Sequence, residues 1–426
     1  MSYTSRPSRR VFLRSVIGGT LAALPAFSCS PDTVAHQLDP LDSDSGDVSA
    51  KALLTMEDFD YIGAFRLPRD IDGHDGAWGR GFAVRDVGGE MHFLSSAVDG
   101  VIYEAVIPQL GTQGRYPQAS VSKVWGDLSK GHRVGQLNGL FWDSIDRRLY
   151  WSSGNLYNTL HPDDPSVGYS TLEDGSTFGA WKFSGRGAKA TMGGVLAIPD
   201  WFATQFTKGQ RLAAGFGGYW SIVATGPAHM GPALCSFDPP APDSSKGGAL
   251  PFTNLVGYPF NPHPYTEPDR CHRDTDYHTE FDGWNPKDGV GYWSWSDWIW
   301  QGAAWIDLPD KHGVVFTPTL GRGRTWYQDS TLHAERSVHA FYVYDPALLA
   351  AVARGKMKQW EVQPAASWDV HFENLTYPLP GWKDEPNRMI TGVTFDQAHR
   401  ILYVAVRFAF GVGAEAQHVV YAYRIG

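Results

Sequence analysis

Along most of the chain, apolar and polar residues alternate in short runs separated by Gly, Asn, Asp and Pro, the period of half-buried strands and not of helices. One unit of this pattern occurs at two distant places, Asn138–Ser153 and Thr391–Val406. In both, a Gly opens an apolar run that ends at Asp (Asp143, Asp396), turn-forming residues follow, and a second apolar run carries Leu-Tyr (Leu149 and Tyr150; Leu402 and Tyr403). Each copy predicts a tight hairpin. A hairpin repeated at such a separation predicts an all-β fold with radial symmetry, a β-propeller.

Further units, each with a third strand and a looser fourth, bring the expected number of blades to five, with six or seven as alternatives. The first combines 81–85, 91–96, 101–107 and 120–125; the second runs from Gly139 to Phe183. The third is the least regular, with 195–198, 211–216 and 233–238, and the fourth combines 304–308, 313–317 and 339–345. The fifth starts at Ile390 and ends with 419–425, which leaves no residues for its fourth strand. The segment 61–68 is expected to supply it, closing the ring by strand pairing and leaving no sheet edge free there. One helix is expected, over 345–355, with Asp345 as N-cap, Pro346 at the first helical position and Gly355 ending it.

Composition narrows the class. Charged residues make up only 19%, the net charge is −9 and no basic run occurs, which argues against a nucleic-acid groove. The 17 Trp and 47 Gly suit short aromatic strands joined by tight turns. Beyond the N-terminal segment no apolar run reaches the roughly 20 residues that a membrane-spanning helix requires. That N-terminal segment resembles a twin-arginine export signal: Arg9 and Arg10, then Phe12 and Leu13, an apolar stretch from Val16 to Phe27, and small residues before Cys29. The expected organisation is a signal peptide over 1–29, a polar acidic linker over 30–52 and a propeller over 53–426, with 239–299 as a long insertion loop. The mature protein is expected to be a monomer in the periplasm or outside the cell. A lipid anchor at Cys29 is the alternative to plain cleavage, although Ala26 stands where lipid-attachment signals usually carry Leu.

The insertion 239–299 gathers His263, Asp269, Cys271, His272, Asp274, Asp276, His278 and Glu280. Cys271, His272, Asp276 and His278 form a donor set suited to a divalent metal, zinc or calcium, yet their spacing matches no established ligand motif. An exposed polar loop is the competing reading. Cys271 has another fate open to it, a disulfide with Cys235 in an oxidising compartment.

Chemistry-bearing residues concentrate where a propeller presents its channel mouth. Between the second and third strands of the fourth unit lie Arg322, Arg324, Tyr327, His333 and Glu335, expected in one loop. Segments leading into first strands add Asp75, Arg80, Gln136, Asn138, Asp297, Trp298, Gln301 and Arg388; other second-to-third connections add Asp99, Tyr157, Trp220, His229 and Arg407. For a glycan substrate two reactions can be read here. Hydrolysis needs two carboxylates about 5 to 9.5 Å apart, with Asp75, Asp99, Asp297 and Glu335 as candidates. Elimination needs a base, a proton donor and a cation facing the uronate carboxylate, roles that Tyr327, His333 and Arg324 or Arg322 suit. Arg80, Asp75, Asn138, Tyr157, Trp220, His229, Trp298, Arg388 and Arg407 would then bind substrate.

At the level of architecture the chain resembles propellers that act on polysaccharides, the five-bladed furanosidases and the larger ulvan-type lyases. The resemblance implies a polysaccharide or oligosaccharide partner and assigns no residue. A secreted carbohydrate-active enzyme, lyase or glycoside hydrolase, is therefore the leading expectation. A non-catalytic surface propeller that binds glycans is the alternative. A periplasmic cofactor-dependent oxidoreductase is the third, though neither a Cys-x-x-Cys-His nor a helix-opening Gly-x-Gly-x-x-Gly is found.

Overall fold

The computed structural model describes residues 51–426 except 77–79, 98, 156–162, 216–227, 239–240, 242–245, 261–300, 329–330, 381–387 and 412–415, and omits the side chains of 189, 228–231, 259–260, 322–335 and 380. Its strands form five blades. The first contains Phe82–Val87, Glu90–Ser96, Ile102–Val106 and Ser120–Gly126, each antiparallel to the next. The second contains Gln136–Asp143, Arg148–Gly154, Val167–Thr171 and Thr177–Trp181. The third contains Gly194–Ala197, Leu212–Gly215, Ala228–Phe237 and Phe252–Phe260. The fourth is built on Ala303–Asp307, Lys311–Phe316, Thr331–Tyr344 and Ala366–Val370. In the fifth, Ile390–Asp396, Ile401–Phe410 and Gln417–Ile425 take their outer strand from Phe59–Arg66.

That last pairing is the ring closure expected from the sequence, with Phe59 opposite Ile425 and Arg66 opposite Val419. The first strands of the blades pack in cyclic order, the fifth returning to the first. Phe65 of the closing strand is fully buried and packs on Phe82 and Phe93 of the first blade. Each such ring removed from water is worth about 1.5–3 kcal/mol, so the seam is hydrophobic as well as hydrogen-bonded. Five blades leave little room at the axis. A methyl group on Gly81 would meet the Leu140 amide nitrogen at 2.7 Å, and one on Gly392 would meet Phe82 Cβ at 2.6 Å.

The repeated hairpin has a common physical basis. Asp143 accepts the Ile145 amide at 3.0 Å, and Asp396 accepts those of Ala398 and His399 at 3.0 and 3.1 Å, so each Asp folds the turn that follows it. The equivalent residues Arg147 and Arg400 then take left-handed φ of 55° and 56°. Leu149 and Leu402 return into the core fully buried.

Two expectations need correction. The stretch 239–299 is not one loop, because Phe252–Phe260 is the missing outer strand of the third blade. Asn254 and Pro259 obscure its period, but an outer strand needs pairing on one side only and tolerates them. The connection carrying Arg322 to Glu335 is likewise no loop: Thr319–Gln328 pairs with the start of Thr331–Tyr344 as a ribbon extending from the fourth blade. Cys235 is a free, fully buried thiol whose Sγ donates to the Ala214 carbonyl at 3.6 Å, and burial pushes it up to about 11. Cys271, the other half of the disulfide left open by the sequence, lies outside the described residues.

The expected helix is present as Pro346–Ala353, with Asp345 accepting the Ala347 amide at 2.7 Å and Gly355 at φ 73°. A second helix, Asp200–Phe206, joins the first two strands of the third blade and packs Phe202 against Trp305 with ring centroids 4.6 Å apart.

Candidate functional site at the channel mouth

In an up-and-down blade the start of the first strand and the connection between second and third strands lie at one end, and hydroxyl groups bind these parts together here. Ser95 and Ser96 donate to the carbonyls of Gly81 and Arg80 at 2.8 and 2.7 Å. Ser152 donates to Met192 of the next blade at 2.8 Å, and Thr319 accepts the Ile390 amide at 3.4 Å.

The floor of the mouth is Gln301. Its Oε1 accepts the Phe82 amide at 2.8 Å and its Nε2 donates to the Leu140 carbonyl at 2.7 Å. Gln301 leads into the fourth blade, whereas Phe82 and Leu140 belong to the first and second, the two blades opposite it in a ring of five. The side chain therefore spans the axis. It is buried, so the mouth is a cup at this level and not an open pore, and Gln301 is a structural tie and not the mouth-lining group expected from its position.

Three arginines from three segments come to this end of the ring. Arg80 donates from Nη1 to Gln136 Oε1 and, at 3.2 Å, to Asn138 Oδ1. Arg407 lies where the strand register breaks between Val406 and Phe410, a bulge that re-aims side chains. Its amide donates to the Met389 carbonyl at 2.8 Å, and its guanidinium lies 4.4 Å from the Phe408 ring centre. Phe408 has φ 52°, a left-handed conformation that is costly for a bulky residue. Burial first, and then the charge of Arg80, push Arg407 down to about 9, which leaves it a cation at neutral pH. The third is Arg388, half-buried, whose carbonyl accepts from His339 Nε2 at 2.6 Å.

His339 is fully buried, and burial pushes it down to about 4. With Nε2 donating to a carbonyl, Nδ1 accepts from the Tyr377 hydroxyl at 2.6 Å, which fixes the tautomer. That hydroxyl also accepts the Phe372 amide at 3.2 Å, and burial raises the phenol well above its usual range. This imidazole and phenol are held neutral and position Arg388. They are not poised to exchange protons with a ligand. A more accessible pair stands at the rim, where His74 Nδ1 meets Asp99 Oδ2 at 2.5 Å. Burial raises the Asp99 carboxyl, but the Val101 amide and His74 outweigh it and hold the group below its usual range. Arg133 connects this pair to the mouth, donating to the carbonyls of Asp99 at 3.1 Å and Gly135 at 2.7 Å, beside Gln136.

Of the residues singled out in the sequence, Arg80, Asn138, Arg388 and Arg407 are described at this end of the molecule. Asn138 is buried and engaged, accepting from Arg80 and donating to the Gly154 carbonyl at 3.4 Å, which positions Arg80. Asp75 lies in a small hairpin, Asp70–Ile71 with His74–Asp75. Arg322, Arg324, Tyr327, His333 and Glu335 belong to the ribbon, with Trp326 opposite His333 and Tyr327 opposite Leu332. The backbone of His229 lies in an outer part of the third blade. Tyr157, Trp220, Asp297, Trp298 and the metal set Cys271, His272, Asp276 and His278 lie outside the described residues. Among the described residues no group of three or more His, Cys, Asp or Glu side chains could hold a metal, and no helix is long and apolar enough to cross a membrane. His339 and Tyr377 escaped sequence reasoning because they lie far apart in the chain and belong to no repeated motif.

Among solved structures the chain is similar to one from Parabacteroides distasonis described as a "putative glycoside hydrolase", with 12% identity over 86% of this chain and 96% of that one and a TM-score of 0.38. It is similar to Raptor of Chaetomium thermophilum, with 11% identity over 84% of this chain and 24% of that one (TM-score 0.34). The β-propeller domain of Cps50 (Swd1) from Myceliophteria thermophila matches with 11% identity over 86% of this chain and 100% of that one (TM-score 0.32). No family model matches the chain, and no curated protein matches it.

Proposed function

We propose that the chain is a glycan-directed propeller whose mouth takes the carboxylate groups of an acidic polysaccharide. The observation that carries this reading is that Arg407, buried on a strained bulge, lies within the field of the Arg80 guanidinium at this end of the ring. Guanidinium groups in a partly desolvated mouth attract anions. Carboxylates suit the planar fork of arginine, and a uronate chain offers them at regular spacing. In this reading the leader over 1–29 exports the protein to where such polymers occur.

Cleavage is the finer part of the proposal. Elimination would use the arginines to neutralise the uronate while a base removes the proton on the carbon beside the carboxylate; the electron pair forms the double bond, the glycosidic C–O bond on the next carbon breaks, and the departing oxygen takes a proton. Tyr327 or His333 of the ribbon would act as that base, and His74 beside Asp99 is the alternative. Incubation with polygalacturonate tests both parts. Ultraviolet-absorbing unsaturated ends, lost in one of Tyr327→Phe, His333→Ala or His74→Ala, support elimination; new reducing ends without that absorbance support hydrolysis. Binding with neither product leaves a recognition propeller, which the locked His339–Tyr377 unit favours. Absence of binding to any polyuronate overturns the proposal.

A further inference from the structure

Away from the axis, in the seam between the outer parts of the fourth and fifth blades, lies a cavity of about 470 Å³. Phe59, Tyr61 and Trp368, all half-buried, line it together with Glu373, Asp369 and His371. Glu373 is its central group. The Tyr61 and Tyr116 hydroxyls both donate to Oε2 at 2.9 Å, and the Gln113 amide donates to Oε1 at 2.7 Å. Burial, and then this carboxylate, raise both phenols well above their usual range, so they remain donors at any physiological pH.

Three dipoles satisfy the hydrogen-bonding capacity of Glu373 but leave its charge in place. Among the described residues no basic side chain forms an ion pair with it. A half-buried carboxylate beside aromatic rings has the electrostatics of an organic-cation site: the ring faces carry negative charge density, and the carboxylate supplies the full charge. Its sign excludes the uronates assigned to the mouth, and the apolar rings favour a cation clothed in methyl groups over a hydrated metal ion. We propose that this cavity binds an alkylated ammonium group.

Calorimetric titration of the whole chain with choline tests this directly. The control is the analogue in which a tert-butyl carbon replaces the quaternary nitrogen, equal in shape and without charge. Saturable choline binding is expected, at least about tenfold tighter than the neutral analogue, weakened about tenfold in Glu373→Gln and lost in Trp368→Ala. Equal affinity for the two compounds, or no saturable choline binding, overturns the proposal. Should either variant fail to fold, the choline comparison on the unaltered chain still decides it. Binding of polygalacturonate serves as an independent readout, because the mouth is expected to retain it in both variants.

Discussion

Arg186 and Arg407 are both buried arginines, and burial depresses both, yet their surroundings are opposite. Arg186 ties the third blade to a distant loop, donating to the side chains of Asn254 and Gln359 and to the carbonyls of Leu234 and Val256, the last at 2.6 Å. Neutral oxygens surround it, and its role ends with their satisfaction. Arg407 lies against the ring of a strained neighbour and within the field of Arg80. On the proposed reading, the difference separates an arginine that holds the fold from one held for a ligand.

Replacing Arg186 should therefore have the largest effect on stability. Arg186→Met removes the guanidinium donor from four oxygens, two of them buried, and is expected to cost about 3–5 kcal/mol, read by denaturant unfolding, with no change in ligand affinity among molecules that remain folded. A cost below 1 kcal/mol would remove the distinction from that side.

His339 supplies the next effect, through pH. Its folded pKa of about 4 lies below the unfolded value near 6.5, so the unfolded chain binds the extra proton first as pH falls. Stability is then full above pH 6.5 and declines as pH drops towards 4, by about 3 kcal/mol in all. In His339→Gln that part of the slope should vanish, and an unchanged slope would show that other groups carry it.

Arg407→Ala should leave stability within about 1 kcal/mol and weaken polyuronate binding by about 10- to 100-fold. Smallest of all, Phe408→Gly relieves the left-handed backbone but loses the ring under Arg407, so a stability change under about 1 kcal/mol is expected, with binding weakened a few-fold. Loss of stability in Arg407→Ala comparable to that in Arg186→Met would make the two arginines alike.

The architecture was legible because its signals are local. Asp143 and Asp396 act on amides two or three residues away, and the helix after Asp345 carries its own cap, so both could be read from short stretches. Ring closure was legible by a different route, since the fifth blade lacked a strand and 61–68 had none to pair with. What escaped depends on long-range contact. The outer strand Phe252–Phe260 has an irregular period that only pairing with Ala228–Phe237 resolves. Gln301 read as a mouth residue, although its partners in the first and second blades make it a tie across the axis. Arg80, Arg388 and Arg407 could each be placed at the mouth from strand order, whereas the bulge at Phe408 that sets Arg407 against Arg80 leaves no mark in the sequence.

The most direct test of a carboxylate-binding mouth is the affinity for polygalacturonate measured against salt concentration, for the unaltered chain and for Arg80→Ala and Arg407→Ala. The account predicts affinity that falls as salt rises, with a shallower dependence in each variant because one ion contact has gone. Salt-independent binding, or variants indistinguishable from the parent chain, would contradict it.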